Sequence, residues 1–210
     1  VALTTDQVTG STARTVQALS TEAITALTTG QIEVINTAGL AALTTSQVKA
    51  LSTDAVIALS TYQVANLTTG TMAALSTAQV AAIETTDIQA LSTKQLAGLA
   101  TGTVSALTTD QVIALTTYQV GNLSTATLKA LSSDQIAAIE TTDIQVLTTG
   151  QLAGLATSTV AALATDQVVA LTTYQIGNLS TATLKALSSD QLVAIETTDI
   201  QALKTSQLAT

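Results

Sequence analysis

A period of eight residues constrains this chain more than anything else in it. Counted from Leu3, the sequence divides into 26 octads without an insertion or deletion, with Val1 and Ala2 standing outside the register. Typical octads are LTTDQVIA (Leu107–Ala114), LTTYQVGN (Leu115–Asn122) and LSSDQIAA (Leu131–Ala138). So short a period limits the length of every element. An octad is also too small to enclose a core of its own, so its apolar side chains must be buried against other octads, which is the logic of a solenoid.

Within the octad, position one is Leu or Ile throughout except at Ser11, and position six is aliphatic or Met from Val8 to Leu208. Position three is Thr or Ser except at Ala13; position two is mostly Ser or Thr; position five is most often Gln; position eight is usually Ala. Positions four and seven vary, as solvent-facing positions do. A second period of 56 residues, seven octads, overlies the first. The block Leu51–Ala106 returns as Leu107–Ala162 and again, incompletely, from Leu163. Its markers are Tyr62, Tyr118 and Tyr174, Asn66, Asn122 and Asn178, and the octets IETTDIQA, IETTDIQV and IETTDIQA starting at Ile83, Ile139 and Ile195. The pattern reads as duplication of a seven-octad block laid over an older octad. If a superhelical turn takes about three and a half octads, the long repeat is two turns. The expected organisation is one continuous octapeptide-repeat solenoid over residues 1–210.

One continuous helix does not fit, because eight residues overshoot two helical turns by about 80° and the Leu stripe would spiral around the axis. A heptad coiled coil fails for the same reason. Short broken helices do fit. Ser or Thr at position two with Gln at position five is a capping box; Leu at one and the aliphatic at six form the matching hydrophobic staple; Asp at four falls in the first turn, where the helix dipole favours it. The expected fold is all-α, a solenoid of very short stacked helices, one per octad. A uniform Thr at three leaves a second frame open, with position three as the cap. The rival fold is a β-solenoid, since Thr, Val and Ile are strand formers. Against it, positions one and six have opposite parity, and every octad would need a corner.

Composition restricts function further. The chain lacks His, Cys, Pro, Trp and Phe, and its six Lys and Arg are scattered against a net charge of −8. No basic patch can form, so nucleic acid and basic membrane-surface binding are not expected. No apolar run approaches the ~18 residues of a membrane-spanning helix, so no membrane insertion is expected. Without Cys the redox compartment stays open. Beginning at Val1 rather than Met, the chain reads as a processed product or a piece of something longer.

Without His or Cys, the usual hydrolytic triads are gone, and no enzyme activity, catalytic residue or cofactor is expected. The recurring carboxylates Glu84/Asp87, Glu140/Asp143 and Glu196/Asp199 read as helix-start acids, with Asp replacing the capping-box Gln. They are also the only candidates for a weak calcium site. Tyr62, Tyr118 and Tyr174 occupy a variable position and are candidates for a lateral contact stripe between chains. Asn66, Asn122 and Asn178 read as left-handed residues ending a helix.

The stretch LTTDQVIALTT resembles the first helix start of TAL-effector repeats. The likeness covers one octad at a time, and neither the second helix, the base-reading loop nor the basic surface follows. Only the capping chemistry is shared. The consensus L-[ST]-T-x-Q-[VIL]-x-A, covering essentially the whole chain, resembles octapeptide-repeat regions of very large secreted or surface proteins of bacteria, including RTX-type adhesins. That resemblance implies an extracellular or cell-surface setting and a structural role as filament subunit, spacer or stalk, with self-association end to end or laterally. It transfers no functional residue, and the RTX calcium nonapeptide is absent. The alternative function is a binding module, for ice or for a glycan, using regular Ser/Thr rows.

Overall fold

A computed structural model describes residues 3–208. Val1, Ala2 and Thr210, which bound the octad count, lie outside the described residues. Among those described there are 26 α-helices, from α1 (Thr5–Thr9) to α26 (Thr205–Leu208), and no strand. Each helix has only four to six residues, one helix per octad. The helical solenoid is the fold, and the β-solenoid is not.

The helix frame is settled by the caps. Position two is the N-cap, in extended conformation, as at Thr116 with φ −74° and ψ 154°. Its hydroxyl accepts from the backbone N–H at position five, while the Gln there returns its Oε1 to the cap N–H. The same reciprocal pair closes α6 (Thr45–Ala50), α14 (Thr109–Ile113) and α22 (Thr173–Gly177). Position three is therefore the first helical residue, not the cap. The chain leaves the six-residue helices as it entered them, through an extended residue at position one, such as Leu131 with φ −67° and ψ 140°, whereas five-residue helices end on a position-eight residue such as Ala114, with φ −74° and ψ −11°. After a six-residue helix, two extended residues set the corner of the coil.

Helices this short do not persist alone. They are held by stacking, and the main contacts join each helix to the third one after it. In the part of the chain up to Leu107, α1 packs on α4 (Thr29–Val34), α2 (Ala13–Gln17) on α5 (Thr37–Ala41), and α3 (Thr21–Thr25) on α6. In the part from Thr108, α15 (Thr117–Gly121) packs on α18 (Thr141–Ile144), α16 (Thr125–Ala130) on α19 (Thr149–Gly154), and α22 on α25 (Thr197–Ile200). These are the two compact units of the chain.

Positions one and six supply the core. Val48, Met72, Leu128 and Ile176 are fully buried, and Leu51, Leu91, Leu131 and Leu171 nearly so. Burying such a side chain contributes roughly 1.5–3 kcal/mol, so each octad brings two anchors to its unit. Ser11 is the exception at position one. Its hydroxyl is buried without a hydrogen-bond partner, and it borders an apolar hollow of about 250 Å³ with Leu3, Val8, Val16 and Leu27.

The uniform Thr at position three also finds a role. A Cβ built on Gly98, at position eight, would meet Thr69 Cβ at 3.3 Å and Thr69 O at 3.2 Å; one on Gly154 would collide with Thr125 Cγ2. The branched side chain at position three thus lies under position eight of the octad three further on, which is why position eight is kept small. Asn66, Asn122 and Asn178 do end their helices, but not in a left-handed conformation. Their φ values are −104°, −106° and −114°, and no described residue has positive φ. Each Asn instead donates its side-chain amide to the carbonyl four residues back, on Tyr62, Tyr118 and Tyr174. That bond closes the last turn without the strain of a left-handed residue.

Candidate functional site: the glutamine ladder and the buried aspartates

The most organised polar feature runs through position five. Gln31, Gln47, Gln63, Gln95, Gln151, Gln167, Gln175 and Gln191 are all buried there. Each Oε1 faces its own helix start. Each Nε2 points the other way, to the preceding turn. Gln47 Nε2 donates to the carbonyls of Val16 at 3.0 Å, Gln17 at 3.2 Å and Leu19 at 2.8 Å. Gln63 repeats this on Ile32, Glu33 and Ile35, and Gln167 on Ile136, Ala137 and Ile139. The last partner always lies 28 residues earlier, which is three and a half octads. A half-octad offset lets one amide bridge the junction between two helices of the turn below. The sequence names Gln as a capping residue; its second role was missed. The only sequence signal for it is the mostly 16-residue spacing of Gln, as in Gln31, Gln47, Gln63, Gln79 and Gln95, which capping alone does not demand.

The ladder is broken where position five is not Gln, by buried threonines such as Thr71 and Thr159 and by the aspartates of the IETTDIQ octads. Asp87, Asp143 and Asp199 stand at position five and are 2%, 3% and 5% exposed. Glu84, Glu140 and Glu196 are N-caps of α11 (Thr85–Ala90), α18 and α25, are exposed, and make no side-chain cap bond. The acids paired in sequence are therefore split, one into the stack and one into solvent. Burial raises the Asp87 carboxyl above the ordinary range; the Thr61 hydroxyl beside it works in the opposite direction, and nearby Glu84 adds to the rise. Asp143 Oδ1 is buried with no hydrogen-bond partner. No group of three or more acids that could hold a metal by themselves occurs among the described residues.

Tyr62, Tyr118 and Tyr174 are 71%, 72% and 73% exposed. Ile57, Ile113 and Val169, at position seven of the octads just before them, are also exposed. Each copy of the long repeat thus presents one Tyr and one aliphatic side chain to solvent. No helix of the described residues is long and apolar enough to cross a membrane.

A family model, the ALTTAQ repeat, matches residues 32–69, 80–117, 117–149, 136–173 and 173–205. No curated protein matches the chain.

Proposed function

Since the chain belongs to the ALTTAQ repeat family, we propose that this repeat protein works mechanically, as a non-enzymatic spacer, stalk or filament subunit of a large secreted or surface protein of a bacterium. The observation that carries this reading is the use of its buried polar side chains. The position-five glutamines are committed to helix starts and to the turn beneath, as in the two-sided bonding of Gln175. Such bonding stiffens a stack and occupies both ends of each ladder amide. The extracellular setting rests on the octapeptide-repeat resemblance alone, since a chain without Cys suits either redox environment.

Self-association follows from the same design. Its end-to-end form rests on the octapeptide-repeat resemblance. Exposed Tyr and Ile give a lateral route as well. Size-exclusion chromatography with light scattering over a hundredfold concentration range, followed by electron microscopy, tests the reading. Concentration-dependent oligomers or filaments are expected; a monomer throughout overturns self-association.

A binding role is the second reading. The position-three threonines are exposed in octad after octad, Thr61, Thr117 and Thr173 among them. Thermal hysteresis, or retention on immobilised glycans, lost when these threonines are changed to Val, would favour it over the mechanical one.

A further inference from the structure

We propose that the buried aspartates of the IETTDIQ octads, Asp143 above all, bind calcium, with the carboxylate on one side and main-chain carbonyls of the preceding turn on the other. The proposal stands apart from the mechanical reading above.

The glutamine ladder defines the site. Gln175 Nε2 lies 2.9 Å from Ile144 O, 3.2 Å from Gln145 O and 2.7 Å from Leu147 O at once. Three carbonyl oxygens of one helix junction thus converge on a single point, and in the ladder octads an amide nitrogen fills it. The three partners lie 31, 30 and 28 residues earlier. Asp143 sits at the same octad position, between the ladder residues Gln135 and Gln151. Its helix α18 stacks on α15 as the ladder helices stack on theirs. At the same offsets from Asp143, the equivalent carbonyls belong to Val112, Ile113 and Leu115.

Aspartate cannot do there what glutamine does. It is one methylene shorter and, when ionised, has no hydrogen to donate. An ionised carboxylate at this position therefore needs a donor or a cation from elsewhere, since main-chain carbonyls below it offer only acceptors. Asp143 Oδ1 has no partner, although a buried carboxylate oxygen left unpaired is costly. At Asp87 the Thr61 hydroxyl stands beside the carboxylate, so Asp143 is the position where a buried carboxylate oxygen is left without a partner. A cation supplies the missing partner. The ligands are all hard oxygens, which suit calcium with water completing the shell. The chain has no His or Cys to favour a softer metal. The 56-residue repeat copies the same residue to Asp87 and Asp199, so one chain carries three such positions. Glu84, Glu140 and Glu196 lie outside, in solvent, and are not ligands.

Calorimetry in calcium chloride, against sodium chloride of matched ionic strength and against a chelator, tests this. Three forms of the whole chain are compared: the protein itself, D87N/D143N/D199N, and E84Q/E140Q/E196Q. The native chain and the glutamate variant should gain about 2 °C or more in Tm with saturating calcium, and the asparagine variant should gain nothing. A native chain indifferent to calcium overturns the proposal, as does an asparagine variant that responds equally. A native chain stabilised by acid but not by calcium also overturns it, making the occupant a proton. Should the asparagine variant not fold, equilibrium dialysis of the native chain decides: saturable calcium binding that the glutamate variant keeps supports the site, and its absence overturns it.

Discussion

Gln175 Nε2 donates to the carbonyl of Leu147 at 2.7 Å, across 28 residues of sequence. The same side chain accepts, through Oε1, from the N–H of Thr172 only three residues away. One residue thus fixes both where a helix begins and which turn lies under it. In a chain with 26 near-identical octads, that second bond resists slippage of one turn over the next.

Replacing Gln175 by Leu keeps volume but removes bonds in both directions. Each hydrogen bond contributes about 1 kcal/mol net, and buried carbonyls left unpaired add to the loss. A destabilisation of about 2–4 kcal/mol is expected in urea denaturation. Gln7 is exposed and bonds only its own helix start, so Gln7→Leu should cost less than about 1 kcal/mol.

Ser11 invites the opposite change. Position one is Leu or Ile in every other octad, and Ser11 leaves both a buried unpaired hydroxyl and an apolar hollow. Ser11→Leu should stabilise the chain by about 1–2 kcal/mol, read as an increase in the urea midpoint.

Glycines separate by what lies above them. A Cβ on Gly177 would come 2.9 Å from the carbonyl oxygen of Ala202, which is backbone and cannot give way. Gly177→Ala should therefore cost about 1–3 kcal/mol. Gly30 has nothing within 4 Å of a new Cβ, so Gly30→Ala should stabilise by about 0.5–1 kcal/mol through the helix. Thermal melts of the two variants should move in opposite directions.

The raised carboxyl of Asp87 has a defined pH signature. The fold prefers the neutral acid, so the folded chain binds this proton more tightly than the unfolded chain. The stabilisation is complete below the ordinary carboxylate range and is lost as pH rises through the raised value. In chelator, Asp87→Asn should therefore be more stable than the native chain at pH 7, and the difference should shrink towards pH 4. An unchanging difference across that range would assign the effect to packing.

Two cap-free helix starts offer a further check. Ala156 and Ala164 are N-caps without a side-chain bond, yet Gln167 already returns its Oε1 to the Ala164 N–H at 2.8 Å. Ala164→Ser completes that box and should add about 1 kcal/mol. Changing Tyr62, Tyr118 and Tyr174 to Ser should leave stability within about 0.5 kcal/mol per site while weakening self-association, measured by light scattering.

What the sequence determined by itself is local. The octad, its capping box, the paired apolar positions and the exclusion of a long helix all follow from chemistry acting over three or four residues, and the short helices of α6, α14 and α22 answer to it. The exposure of Tyr62 was legible too, because variable positions in a strict repeat face water. Tertiary structure decided whatever depends on which octad lies beneath which. The three-and-a-half-octad offset could be guessed from seven octads per long repeat, but only the stack shows that it lets one Gln bridge a helix junction. The fate of the acids was equally hidden. Glu140 and Asp143 look like a pair in sequence, but a helix start places one at the solvent edge and turns the other, three residues on, into the turn below. Even the Asn residues, expected as left-handed ends, closed their helices through a side-chain amide instead. In each case the competing partner lay either a full turn away or in a choice between two local geometries that an octad allows equally.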